Sequence, residues 1–511
     1  MPAYSPGFRS LDAEHEDLSL AVEGEIPSWL SGSLVRNGPG KFEVGGERVE
    51  HWFDGLAMLH KFRFVDGEVR YSNRFLRTDT YRRAVEDGTV SSQFATSGSY
   101  LDQLKSFLRD PTDNANVGVA TVGGEYVALT ETPRRVRFDP ETLSSRGDLE
   151  YDDDLTGHHV TAHLRHDDRR GETVGYMTEF GRRNRYHVYR VPDERPERES
   201  DSGRVSDSES DLDPRRIPVA SVEVDRPAYI HSFALTPRFA IIVEPPYVVN
   251  PLRFLLPGGG GFIDNYEWRP ERGTRFLVFD RSSGELVVEP TTAPFFFFHT
   301  VNAFEEGESE ASDESVVVDL VAYDDATIVD DLFMSAVEGE EGAEPSLDAA
   351  EGVLTRFRVP LGGRREGDER GESSEVTRES LYRGIELPRV APAAHMRPYR
   401  YAFGQATGRD GQNGLAKVDV ETGDSWEWWA EGHFAGEPIF VPEPAFSEDE
   451  SEKGEAKEDR GVVLAPALNV EAERTVLVVL DGETFSEVAR VRVPHHIPFG
   501  FHGEFFPEVT S

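Results

Sequence analysis

Four histidines in this chain close short apolar runs: Thr161-Ala162-His163, His231 in YIHSFAL, His299 after the four phenylalanines 295–298, and His502 in FGFHGEFF. Four neutral imidazoles converging on one point would hold a divalent iron while adding no ligand charge. Such a site leaves up to two positions of an octahedron for dioxygen or water, which is the chemistry of an oxygen-using metalloenzyme. Cysteine is absent, so disulfides, thiolate metal sites and thiol nucleophiles are all excluded, and the redox compartment stays open. A metal-bound imidazole usually donates its other ring N–H to a carboxylate. Three glutamates stand in apolar or Pro-flanked contexts where a buried carboxylate needs a partner: Glu131 in ALTETP, Glu386 in GIELPRV and Glu437 in GEPIFVP.

The elements that must position these residues read as strands. Apolar runs such as EYVALTE, RFAIIVE, TRFLVFD, SVVVDLVAY, VLTRFRV and RTVLVVL are punctuated by Asp66-Gly67, Gly123-Gly124 and Asp481-Gly482, as hairpins would be. Many short strands with few helical periods predict an all-β protein, and a propeller closes that many strands without exposing long edges. The intervals between the four histidines are 68, 68 and 203 residues. The last is close to three times 68, which fits ligands on the inner strands of different blades; no Trp-Asp repeat accompanies it. A length of 511 residues allows three average domains, but closed all-β folds exceed the average, and one domain over 1–511 is the expectation. Acidic low-complexity inserts at 193–215, 305–315, 336–352, 362–379 and 445–460 read as solvated loops or disorder.

Ninety-five acidic against 54 basic residues leave a net charge of −41. Nucleic acid is excluded as a partner, since phosphate binding needs a cationic surface. The excess of Asp and Glu over Lys points to an intracellular, cytoplasmic protein of a salt-adapted organism. The amino terminus lacks a basic start and an apolar h-region, and no stretch reaches the ~18 apolar residues of a membrane span. Other chemistry finds little support. There is no Gly-x-Ser-x-Gly elbow; His159 and His163 are four apart without an HExxH; His158, His159, His166, His495 and His496 read as surface or structural. Gly45-Gly46 and Gly258–Gly261 read as turns, and Asp152–Asp154 as an exposed acidic run.

Over nearly its whole length the chain resembles the carotenoid cleavage oxygenases, a family that includes the retinoid isomerase of the visual cycle and the stilbene-cleaving dioxygenases. The shared segments are GSLVRNGPGKFE (Gly32 to Glu43), HWFDG (His51 to Gly55), NANVGV (Asn114 to Val119), TETPRRVRFDPETL (Thr130 to Leu143), TAH, IHSFALT, WRPERGTRFLVFDR (Trp268 to Arg281), FFHTVNAFEE, ELPRV (Glu386 to Val390), YRYAFG, EPIFVP and Ile497 to Gly503. The resemblance implies a seven-bladed β-propeller with a helical and loop cap over one face. It also implies Fe(II) on the axis held by His163, His231, His299 and His502, with Glu131, Glu386 and Glu437 hydrogen-bonded to three of them. The substrate would be an apolar polyene, cleaved with dioxygen into two carbonyl products, and the central 15,15′ bond with retinal as product is the first expectation. Stilbene-cleaving members carry a Lys where this chain has Thr130; that reaction, isomerisation and a noncatalytic propeller scaffold are the alternatives. Two departures stand out: Leu56-Ala57 replace Asp-Gly after HWFDG, expected in a blade turn, and Leu164 replaces a common Pro. Segments 100–110 and 248–262 are the expected sites of peripheral membrane contact.

Overall fold

The computed structural model describes residues 2–88, 94–96, 111–194, 213–255, 261–307, 314–339, 351–362, 375–409, 412–444 and 457–507. Strands dominate it. Those of the interior, such as Phe239–Glu244 and Ser315–Tyr323, are buried along nearly their whole length because each sheet packs on both faces. Val, Ile and Phe fill them, the residue types that suit a pleated surface buried on both sides.

The sheets follow one another along the chain as antiparallel meanders. One is built from Gly118–Val122, Glu125–Leu129, Val136–Phe138 and Ser145–Asp148. The next runs from His159–Val160 through Glu172–Glu179 and Asn184–Pro192 to Ile217–Val224, and a third from Ala234–Leu235 through Phe239–Glu244 to Thr274–Asp280 and Leu286–Val288. Phe296–Glu306, Ser315–Tyr323, Val353–Pro360 and Thr377–Arg383 make a fourth. A ten-stranded sheet then contains two meanders, one starting at Ile385–Val390 and one centred on Gly461–Asn469, joined where Asn413 pairs with Phe434. The ends of the chain close the ring twice. Ala21–Gly24 pairs with Glu487–Arg492, and Gly32–Lys41 pairs with Gly503–Pro507. Pairing first strands with last removes the open edges that a linear array of sheets would present.

The turns Asp66-Gly67 and Gly123-Gly124 behave as expected. Asp66 and Gly67 take φ of 50° and 78°, the double left-handed conformation of a tight hairpin turn, which Gly adopts without a Cβ clash. Asp481-Gly482 instead opens a longer loop, in which Asp481 accepts the backbone N–H of Thr484 at 2.7 Å. The Leu56-Ala57 pair also departs from expectation. The turn is Trp52–Asp54, which ends two residues before Leu56, and Leu56 begins the strand Leu56–Val65 with both residues buried, Leu56 against Val44 and Ala84.

The acidic inserts fall mostly outside the described residues, as do residues 100–110 entirely. One end of the 445–460 insert is a correction: Asp459 is buried and pairs with buried Lys417 at 2.5 Å, so it belongs to the interior and not to a solvated loop. Within 248–262, the turn Pro251–Leu255 leaves Leu252 66% exposed while Phe254 stacks on Phe262. No described helix is long and apolar enough to cross a membrane.

Candidate metal centre

Each of the four histidines comes from a different sheet. His163 lies between His159–Val160 and Arg165–Asp167, His231 leads into Ala234–Leu235, His299 sits within Phe296–Glu306, and His502 immediately precedes Gly503–Pro507. The register of Phe296–Glu306 against its neighbour shifts on either side of Thr300. Such a bulge re-aims a side chain that regular alternation would turn into the sheet packing. The short polar residues beside the histidines lace the loops together. The backbone N–H of His163 donates to Thr161 Oγ1 at 2.9 Å, and Thr161 donates to the carbonyl of His231 at 2.8 Å. Ser232 donates to the carbonyl of Phe298 at 2.7 Å and accepts from Thr300 N at 2.9 Å.

The result is convergence. One ligand atom from each histidine lies within 4.8 Å of all the others. His163 Nε2 and His231 Nε2 are 2.8 Å apart, and His299 Nε2 and His502 Nε2 are 3.2 Å apart. Neighbouring nitrogens around an octahedral cation with metal–nitrogen bonds of about 2.1 Å would be separated by about 3 Å. The tautomers point the same way. His231 Nδ1 donates to Glu131 Oε1 at 2.7 Å, His299 Nδ1 to Glu386 Oε2 at 2.6 Å, and His502 Nδ1 to Glu437 Oε1 at 2.8 Å. With the proton on Nδ1, each of these rings presents a bare Nε2 lone pair to the centre, an arrangement that repels itself and fits a cation between the rings. Burial holds His163 and His231 neutral, and it lowers His502 to about 4 even against the pull of Glu437.

The three glutamates come from the remaining sheets, and each has its second oxygen fixed. Glu131 Oε2 accepts from Tyr229 at 2.8 Å and Glu386 Oε1 from Tyr323 at 2.7 Å. Glu437 accepts four donors: Oε1 takes Arg389 Nε at 2.9 Å besides His502, and Oε2 takes Arg36 Nη1 at 2.8 Å and Gly503 N at 2.9 Å. Burial would raise all three carboxyls. The facing imidazoles, and for Glu437 also Arg389 and Arg36, outweigh it and keep them below the ordinary carboxylate range.

All seven predicted residues are therefore in one place. Sequence reasoning missed the groups that brace them. Tyr229 could have been found, because it stands two residues before His231 on the same face of an extended segment. Tyr323, Arg36 and Arg389 carry no local signal. His159, read as surface or structural, is buried and stacks on Phe262, with Nε2 3.6 Å from Glu131 Oε1, inside ion-pair range and beyond a hydrogen bond. It lies on a strand, so its spacing from His163 is not that of a helical zinc pair.

One continuous cavity reaches the histidines. Trp52, Phe53, Phe298, Leu332, Phe499 and Phe501 contribute apolar wall, and His231, His299 and His502 line it. Its one guanidinium or ammonium among the described lining residues, Arg36, is engaged with Glu437 and the carbonyl of Phe501.

Comparison with known proteins agrees with this geometry. The family profile described as retinal pigment epithelial membrane protein (RPE65) matches residues 8–507. The carotenoid-cleaving dioxygenase, mitochondrial, of Macaca fascicularis is 30% identical over 99% of this chain and 95% of its own. The β,β-carotene 15,15′-dioxygenase of Rattus norvegicus is 30% identical over 98% and 91%. The crystal structure of cobalt-substituted Synechocystis ACO, an apocarotenoid oxygenase, superposes with a TM-score of 0.79 at 25% identity, covering 99% of this chain and 98% of that one. A full-length profile match, full-length relatives and a shared β-propeller together establish that the chain belongs to the RPE65 family of carotenoid oxygenases.

Proposed function

We propose that the protein is a non-haem Fe(II) dioxygenase that cleaves a C=C bond of a carotenoid or apocarotenoid polyene into two aldehyde or ketone products. The observation that carries this is the four-imidazole convergence, with protons fixed on Nδ1 by buried carboxylates, opening onto an apolar aromatic cavity. Iron held by His163, His231, His299 and His502 would bind dioxygen and supply the redox chemistry. The rest is positioning. Phe53, Phe298, Trp52 and Phe501 exclude water and offer ring faces to an extended alkene, which would lie across the histidines. Adding both atoms of O2 across one C=C and breaking that bond yields two carbonyls, so the overall reaction needs no external reductant and no net proton. The cavity matches this economy, since its Glu386 is already hydrogen-bonded to His299 and its Arg36 is ion-paired with Glu437.

We further propose that the central 15,15′ bond is cut and that retinal is a product. Similarity to the rat 15,15′-dioxygenase supports that choice. Thr130, where stilbene-cleaving relatives carry Lys, is buried, and its carbonyl accepts Arg135 at 2.6 Å. Counting the ten-stranded sheet as two blades gives our reading of seven. Exposed Leu252 supports a peripheral membrane contact at 248–262, and the charge of −41 supports a salt-adapted, cytoplasmic source. The test is iron content together with product chromatography. About one iron per chain with oxygen-dependent cleavage of β-carotene is expected, and His299→Ala should lose both. Full activity in His299→Ala, or a folded wild type that takes up no iron, would refute the assignment.

A further inference from the structure

The cavity that reaches the histidines is not apolar throughout. Gln405, Thr407 and Asn413 also line it. Their placement follows from strand register. Gln405, on Tyr401–Arg409, lies directly opposite Glu386, the partner of His299. Thr407 is two residues further along the same face, about 7 Å away. Asn413 lies on the adjoining strand Gln412–Asp419, one residue before Gly414, which pairs with Ala406. Three neutral polar side chains thus gather at one side of an otherwise aromatic and aliphatic wall.

Their hydrogen bonding is incomplete in a specific way. Thr407 Oγ1 is buried without a hydrogen-bond partner. Gln405 Nε2 donates to the carbonyl of Ala435 at 2.5 Å, and because a carbonyl can only accept, this fixes which end of the amide is oxygen. The Gln405 oxygen is left as an acceptor beside the cavity. Asn413 is 9% exposed. A buried polar atom left unmatched loses its hydration without replacement, so a polar cluster in the wall of an apolar cavity is unfavourable unless something answers it.

We propose that Gln405, Thr407 and Asn413 form a subsite for a terminal hydroxyl, and that a polyene bearing a ring hydroxyl, a hydroxylated carotenoid or apocarotenoid, is preferred over its unhydroxylated counterpart, which is still cleaved. This rests on the polyene-cleavage reading above. A hydroxyl matches the cluster because it both donates, to the Gln405 oxygen, and accepts, from Thr407 or Asn413. A ketone cannot donate. A carboxylate would find no cation, since Arg36 is the sole one among the described lining residues and is engaged elsewhere. A site that hydrogen-bonds a substrate hydroxyl discriminates against its absence far better than an apolar pocket discriminates against its presence.

The experiment compares two apocarotenals of equal polyene length, one with and one without the ring hydroxyl, on iron-loaded wild type, Thr407→Val and Asn413→Leu. Dissociation constants from tryptophan quenching are measured in parallel with cleavage. Wild type is expected to favour the hydroxylated compound at least about tenfold in kcat/KM and in affinity. Thr407→Val, which keeps shape, should reduce that preference about tenfold by weakening the hydroxylated compound alone, and Asn413→Leu should act in the same direction. Equal preference in wild type, or a preference unchanged in both variants, overturns the subsite. Should neither compound be cleaved, the dioxygenase reading fails, and the binding ratios alone then decide the subsite by the same criterion.

Discussion

Glu437→Gln should destabilise the metal-free protein far more than Glu131→Gln, although both weaken metal binding. The reason lies in donor counting. Glu437 is 1% exposed in its side chain and faces two donors on each oxygen: His502 and Arg389 on Oε1, Arg36 and the Gly503 N–H on Oε2. A glutamine in either flip aims its NH2 at two of them, and it leaves Arg36 without its counter-charge and Arg389 with only Glu504, 3.6 Å away. Breaking a buried pair in this way costs ~3–5 kcal/mol. Glu131 faces His231 on one oxygen and the hydroxyl of Tyr229 on the other. A glutamine oxygen still accepts from His231, and its NH2 can donate to the Tyr229 oxygen, so the loss should stay near ~1–2 kcal/mol. Metal affinity should fall ~10–100-fold in both, since each variant takes the charge from a carboxylate that polarises a ligand imidazole. Urea unfolding of metal-free protein and competitive metal titration separate the two effects. The pH dependence adds a signature. Burial raises the Glu437 carboxyl, but Arg389, His502 and Arg36 outweigh it and hold it below its ordinary 4.5. The stability it contributes is therefore complete above about pH 4.5 and disappears as the pH falls through the depressed value. Equal unfolding midpoints for the two variants at pH 7 would refute the donor argument.

Three further outcomes are expected. Asp54 accepts the backbone N–H groups of Phe94, Ala95 and Thr96 and the Thr96 hydroxyl, yet burial pushes its carboxyl up to about 6. Folding then takes up a proton between about pH 4 and 6, so stability falls across that window as pH rises, by something on the order of 3 kcal/mol, and urea unfolding of Asp54→Asn should lack that slope. Lys417→Met should cost ~3–5 kcal/mol by stranding buried Asp459, and the double variant with Asp459→Leu should recover most of it; unfolding that is no better in the double variant argues against a buried pair. His159→Phe should preserve the stacking on Phe262 and Tyr229 and leave metal-free stability equal or higher, because both ring nitrogens are buried without a hydrogen bond. Metal affinity in that variant should drop by up to about tenfold, and an unchanged affinity with lowered stability would show that His159 only packs.

What could be read from the chain was local in character. A histidine ending an apolar run, or a glutamate in an apolar or Pro-flanked setting, is conspicuous because burying a polar group demands a compensating role, and that reasoning names the four histidines and three glutamates. The bracing groups are set by tertiary closure. Arg36 and Glu437 are 401 residues apart, and nothing near Arg36 distinguishes it from a surface arginine. Asp459 carries no sign of its burial for a related reason: its neighbours are acidic and polar, and only the strand carrying Lys417 converts it into a buried partner. The family motif points to a turn at Leu56-Ala57, whereas their apolar character, taken alone, argues for the strand they begin.

The same closure explains why the carboxylates stand one bond-step away from the metal position. Carboxylates placed directly around it would put negative charge against an electron-rich alkene and favour harder cations. Neutral imidazoles avoid both, but a neutral ring is a weaker base, and the carboxylate behind each of three rings restores basicity through Nδ1. That solution buries three negative charges, for which Arg36 and Arg389 supply two positive ones around Glu437, while Glu131 and Glu386 are answered by the neutral hydroxyls of Tyr229 and Tyr323. Glu504 beside Arg389 and Arg165 beside His163 add one charge of each sign, so the charge left uncompensated in the metal-free site is still negative, and a divalent cation is favoured by the surrounding field as well as by the nitrogen lone pairs. Replacing Tyr229 or Tyr323 by Phe should accordingly reduce affinity for a divalent ion less than replacing the glutamate it holds, because the field survives and only the orientation is lost.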